Sequence, residues 1–391
     1  MNTRSAFQKA LIGVAVFLIV ITGLTVPATR AATLAGERVT IIVPFDPGGG
    51  SDTWVRFLTP YYRQYLPGKP SIIVRNVPGA GSIKGANMLE DVKKDGKTIL
   101  CVSTSTVMNY IMQDKRVKFK PEKWIPIMNS PIGCVVYART DLGLTGKAVE
   151  DIKKLQGRQV IFGGNSPTSG ELPRLLSMDM LGLDVKPVFG LNRGPVRLAF
   201  ERGEFNINYD TMSAYLQETM DLVKSGMVTP LYSFGVWDPK KKQMIRDPSV
   251  PDMPHFVEVY EGLYGKKPSG AAWKAFFTLL SVSVMHSKAL VLPGETPADI
   301  VEMYQKAGEN LIKDAKYMAQ APQMTGDYEP NLREDAKENL INAVTMDDEA
   351  RTWLWAWLGK KIRRQEGLTV QNRPAVNGRP FAFTICKRHR R

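Results

Sequence analysis

Cysteine and histidine are scarce in this chain of 391 residues, with three of each. Cys101, Cys134 and Cys386 make no Cys-x-x-Cys pair, and His255, His286 and His389 are scattered. Metal ligation and imidazole catalysis therefore lack their usual spacing. An exported chain could join Cys101 to Cys134; the other reading makes both small buried strand residues. The P-loop run GxxxxGK[ST] does not follow the first strand, and no GxSxG sits in a strand-to-helix turn. Gly79–Gly85 is spaced GxGxxxG, and Pro78 interrupts the strand exit, unlike a dinucleotide loop. Ser166 and Ser169 have no histidine placed in sequence to activate them. The expectation is a binding protein without cofactor or metal, not an enzyme.

The chain has few long apolar runs. Only Ala10–Val26 is long, preceded by Arg4 and Lys9 and followed by Ala28, Thr29, Arg30 and Ala31. That pattern predicts a secretory signal peptide over residues 1–31 and export to the periplasm, not a membrane anchor. The net charge of +14 is also local. Ten Lys or Arg against Glu366 after position 359 contribute +9, and Arg4, Lys9 and Arg30 contribute +3, so the body carries +2. No nucleic-acid partner is expected from that distribution.

What is present is concentrated in Val39–Asp52, Val-Thr-Ile-Ile-Val-Pro-Phe-Asp-Pro-Gly-Gly-Gly-Ser-Asp. Val39–Val43 is apolar on both faces, as in a strand buried in a parallel sheet. Pro44 ends the ladder, and Gly48, Gly49 and Gly50 let a ligand approach the backbone closely. Ser51 or Asp52 can cap a helix over Thr53–Tyr65. Two readings stand at this point: an anion site at the helix N-terminus, or a tight turn without ligand.

Downstream, Ser71–Arg75 and Thr98–Val102 read as strands around a helix over Ser82–Lys93, which makes an α/β start with a parallel sheet. Loops at the carboxyl ends of such strands are candidate sites, so Ser103, Thr104 and Ser105 join Asp46–Asp52. Residues 107–132 read as a loop or short helix. Cys134–Ala138, Gln159–Phe162, Val185–Phe189, Phe205–Tyr209 and Thr229–Phe234 read as further strands. Gln159–Phe162 opens into Gly163–Gly170 and a helix from Glu171, a second strand, Gly/Ser loop and helix start. Phe276–Met285 is apolar and reads as the return crossing, and Arg333–Leu358 as a helix whose Trp353, Trp355 and Trp357 pack.

Taken together these residues resemble the substrate-binding proteins of the tripartite tricarboxylate transporters, the Bug/TctC family. Val43–Asp52 is similar to that family's VPFxPGGGxD, with Arg56 following. Asn76–Gly81 with Gly85 is similar to NxPGAGG…G, and Asp95–Leu100 to DGYTLL. Gly164–Ser169 and Asn208–Asp210 match more loosely, and the similarity spans residues 38–345. The resemblance implies an α/β, two-lobed periplasmic binding protein of type II, a Venus flytrap with crossing strands between lobes. On that reading 36–132 is the first part of lobe 1, 133–236 lobe 2, and 237–275 a linker or insertion. Residues 276–359 return to lobe 1 with the C-terminal helices, and 360–391 form a basic, poorly ordered tail.

The family also implies a ligand, a small organic acid, and partners, the membrane permease subunits of such a transporter. Carried over, Phe45, Gly48, Gly49, Gly50, Ser51 and Asp52 form the first-lobe side of the site, flanked by Ser103, Thr104 and Ser105. Gly164, Asn165, Ser166, Thr168, Ser169 and Asp210 supply the second lobe. Asp52 is expected to order the loop, since a carboxylate would repel an anionic ligand. Phe189–Gly194 departs from the family's YKG-like stretch; Arg193 there either pairs a distal carboxylate or lies in solvent. The alternative function is an exported sensor that presents its ligand to a receptor, or an exported enzyme on the same fold.

Overall fold

A computed structural model describes residues 33–191, 193–238 and 241–366. The chain divides into two compact units, Met1–Thr33 and Leu34–Arg391. The signal-peptide expectation over 1–31, Cys386 and the tail beyond 366 lie outside the described residues.

Two five-stranded sheets carry the second unit. The first holds β1 (Arg38–Val43), β2 (Ser71–Asn76), β3 (Thr98–Ser103) and β4 (Ile125–Ser130), with β12 (Lys288–Leu292), in the order β2-β1-β3-β12-β4. β1 pairs parallel with β2 and β3, while β12 runs antiparallel between β3 and β4. The second holds β5 (Cys134–Arg139), β6 (Gln159–Gly163), β7 (Asp184–Val188), β8 (Ile207–Thr211) and β9 (Val228–Ser233), in the order β7-β6-β8-β5-β9. Pro131, Ile132 and Gly133 alone separate β4 from β5, so the chain passes between sheets in one extended step. Cys101 on β3 and Cys134 on β5 are buried and unbridged. One apolar cluster runs through both halves, from Leu100 and Val102 through Val136 and Phe162 to Phe276 and Leu354.

The structure corrects several expectations. Phe276–Met285 is no strand: the helix Gly270–Leu280 continues as a π-helical turn over Ser281–Met285. The return strand is β12, further along. A short run that is apolar on every side suits a buried helix as well as a buried strand, and here the helix packs between Leu172–Met180 and Asp348–Glu366. Residues 107–132 hide β4, because Pro126 argues against a strand. Pro126 is tolerated because β4 is an edge strand and the β12 register shifts beside it. Thr104 starts a helix, Thr104–Ile111, instead of ending a loop, and the Ser103 N–H donates to Thr106 Oγ1 (3.4 Å).

The segment 237–275 is folded. β10 (Val236–Asp238) and β11 (Gln243–Ile245) make a hairpin, and the helix Phe256–Tyr264 packs on the helix Ala148–Gln156 and on β9. The expected helix Arg333–Leu358 is two helices, Arg333–Val344 and Asp348–Glu366. Asp347 divides them by accepting the Ala350 N–H (3.0 Å), as an N-cap does. The second of them extends through Lys360 and Lys361, so the described part of the basic segment is helical.

Candidate functional site

Parallel strands place the helices that follow them with their N-termini at the sheet's carboxyl edge. Here β1 feeds the helix Gly50–Tyr65 and β3 feeds Thr104–Ile111. The first helix has Gly49 at its N-cap and no side-chain cap, so its first N–H groups are left for another acceptor. Gly48, Gly50, Ser51, Ser103, Thr104 and Ser105 line one side of a cleft of about 730 Å³. Gly170, Arg174, Arg193, Arg197, Tyr209 and Asp210 line the other, from the second sheet.

Asp52 is buried and turned away from the cleft. Its carboxylate accepts the Gly48 N–H (2.9 Å), Arg56 Nε (2.9 Å) and Asn76 Nδ2 (2.9 Å). Arg56 beside it, with the Gly48 and Asn76 donors, holds its pKa down at about 2 against the cost of burial. Gly48 has φ +77°, which a side chain would strain, and Asp52 locks that turn. Asn76 also donates to the Phe45 carbonyl (3.1 Å). Asp52, Asn76 and Arg56 thus tie the loop together.

On the second side, Asp210 is the hub. It accepts from Tyr137 Oη (2.7 Å), Thr219 Oγ1 (2.7 Å) and Arg197 (2.7 Å), with Arg193 at 3.4 Å. Burial alone would raise this carboxyl, but Arg193 and Arg197 hold it below the ordinary value. Arg193 also donates to Asn208 Oδ1 (3.0 Å) and to the Tyr209 carbonyl, and Arg197 pairs with Glu218. The Tyr209 ring has both Arg174 (4.5 Å) and Arg193 (4.0 Å) stacked against it. Arg193 is therefore held in its own wall through Nη2, while its buried Nη1 has no hydrogen-bond partner among the described residues.

Eight of the expected site residues line the cleft: Gly48, Gly50, Ser51, Ser103, Thr104, Ser105, Arg193 and Asp210. Phe45, Gly49 and Asp52 do not; they shape the loop behind it. In the second-sheet loop Gly164, Asn165, Ser166, Thr168 and Ser169 do not line it either, whereas Gly170 does. The reason is Glu171. Its side chain lies over Gly164, where any Cβ would overlap its Cγ, and it accepts from Tyr209 Oη (3.3 Å). The Ser169 hydroxyl lies within bonding distance of Glu171 and of the Ser166 carbonyl (2.9 Å). The loop is satisfied from within.

Sequence reasoning missed Arg174, Arg197, Tyr209 and Lys288. Arg197 carried a signal, since it falls four residues after Arg193 on one helix face. Lys288 carried a fainter one, a lone charge opening the otherwise apolar run Lys-Ala-Leu-Val-Leu. Among the described residues no group of three or more His, Cys, Asp or Glu is placed to hold a metal.

The chain matches no known family profile. It is 28% identical over 109 residues to a UPF0065 protein from the tcbD-tcbE intergenic region of Pseudomonas sp. strain P51, and 25% over 162 residues to a UPF0065 protein of Bordetella bronchiseptica. Those matches cover 27% and 40% of this chain and 32% and 46% of the relatives' lengths. Among solved structures, a TctC solute-binding protein from Polaromonas superposes with a TM-score of 0.58 at 17% identity, over 83% of this chain and 98% of its own. A Rhodopseudomonas palustris protein with adipate gives 0.58 at 18%, over 83% and 97%. MatC of the same organism, with bound malate, gives 0.53 at 18%, over 84% and 98%. The chain has the fold of the TctC/Bug solute-binding proteins and resembles that family in sequence over its matched stretches.

Proposed function

We propose that this protein is an exported solute-binding protein that captures a small organic acid between the two sheets, acting as two lobes, for a tripartite tricarboxylate-type permease. The observation that supports this reading most is the uncapped helix start at Gly50, which faces a cleft of about 730 Å³ bordered also by Ser103, Thr104 and Ser105. Helix N-termini favour anions, and the volume suits a molecule of malate's or adipate's size. The structural relatives' acids are of this class.

The test is thermal unfolding of protein freed of endogenous ligand, against acetate, propionate, succinate, malate, adipate and citrate. A ligand at a hundredfold excess over its Kd adds about 2.7 kcal/mol of stability. At least one acid should raise the melting temperature by several degrees without being consumed. No response to any acid refutes the reading, and turnover of a bound acid moves the protein to the enzyme class.

A further inference from the structure

The carboxyl edge of the first sheet contains a buried lysine that no carboxylate among the described residues balances. Lys288 opens β12, a strand buried throughout, and retains 9% of its surface. It sits between Ser103 on β3 and Ser130 on β4, and it lines the cleft. Its Nζ lies 3.5 Å from where a Cβ on Gly50 would stand, against the first turn of the helix Gly50–Tyr65. No carboxylate among the described residues pairs with it. Asp52 is already held by Gly48, Arg56 and Asn76. The neighbouring Cys101 thiol is pushed up to about 12 by burial, so it stays neutral. Burial likewise pulls the lysine below its ordinary pKa. A buried amine thus faces the positive end of a helix with no carboxylate between them among the described residues, and an anion arriving there would favour its ammonium form.

We propose that Lys288 is the ligand-anchoring cation of this site, taking the carboxylate of an organic acid directly, between its ammonium and the N–H groups of Gly50 and Ser51. The hydroxyls of Ser103, Thr104 and Ser105 border the same pocket. On the opposite wall Arg193 and Arg197 are paired with Asp210 and Glu218, and Arg174 is stacked on Tyr209 and bonded to the Gly170 carbonyl. The ligand's carboxylate then binds on the first-sheet side. This inference rests on the proposed function and assigns the residue that gives it charge selectivity.

The experiment compares wild-type protein with Lys288→Met and Lys288→Gln, by calorimetric titration with the acid panel above and by melting without ligand. Both variants should bind the preferred acid about 30-fold or more weaker, since a charge-assisted bond at a buried site is lost. Their ligand-free melting temperature should be unchanged or higher, since an unpaired buried charge is removed. Wild-type affinity should fall with added salt, and variant affinity should barely respond. Equal affinity in wild type and variants overturns the inference while leaving the proposed function standing. Lower ligand-free melting temperatures, or variants that fail to fold, make Lys288 a structural lysine and also overturn it. A wild type that binds no acid overturns both.

Discussion

The two walls of the cleft handle charge in opposite ways. The second-sheet wall holds three arginines against two carboxylates paired with them: Asp210 and Glu218 pair with Arg193 and Arg197, while Arg174 stacks on Tyr209 and donates to the neutral Gly170 carbonyl (2.8 Å). The first-sheet wall holds one lysine, with no carboxylate partner among the described residues, and one uncapped helix start at Gly50. A crowd of arginines in sequence suggests anion affinity, but cations already bonded to carboxylates attract little more. The lone lysine and the bare backbone are where an anion gains most. The second wall's order comes from self-pairing, and the first wall's capacity comes from leaving groups unpaired.

The comparison breaks most visibly at Asp210. Asp210→Ala would leave Arg193 and Arg197 buried without their shared carboxylate and orphan the hydroxyls of Tyr137 and Thr219. A loss of about 3–5 kcal/mol in urea unfolding is expected, as for other broken buried pairs. A loss below about 1 kcal/mol would mean that the second wall is not held by self-pairing. A smaller effect, and of a different kind, is expected at Gly50. Gly50→Val puts a branched side chain between the helix start and Lys288, where its Cβ would stand 3.5 Å from Nζ. Acid affinity should fall about 10- to 100-fold by calorimetry, or about 1.4–2.7 kcal/mol, with folding stability nearly unchanged.

The smallest effect sharpens the contrast through pH. Asp52 titrates at about 2 in the folded chain against an ordinary 3.8. Its contribution is therefore fully present above about pH 4 and is lost as pH falls through about 2. Because Arg56 is half exposed, that contribution is about 1 kcal/mol. Asp52→Asn should cost about this much in urea unfolding at pH 7, and the gap to wild type should narrow toward pH 2. A gap that does not vary with pH would show that Asp52 acts by shape alone.

Much of the first side was legible in the chain. Val39–Val43, Pro44 and the glycines that follow specify a strand, a stop and an open helix start by local chemistry, and Asp52 is held inward by Gly48, Arg56 and Asn76. The second side was half legible. Arg193 and Asp210 were visible as charges, but their pairing was not, because Asp210 meets Arg197 and Tyr137 across strands and helices distant in sequence. The loop Gly164–Ser169 looked equivalent to the first glycine loop and is not. Glu171 is two residues beyond it, and only packing shows that its side chain folds back to occupy the loop.

Local sequence therefore determined the elements and the sites where backbone groups go uncovered, since turn residues, caps and strand patterning act over a few neighbours. Tertiary structure decided which charges remain free. β12 reaches the first sheet after the chain has crossed to the second and returned, and it inserts between β3 and β4. That long-range pairing carries Lys288 to the start of the helix Gly50–Tyr65, more than two hundred residues earlier in the chain. Whether a charge is compensated depends on what lies within a few ångströms in space, and sequence spacing does not report that distance.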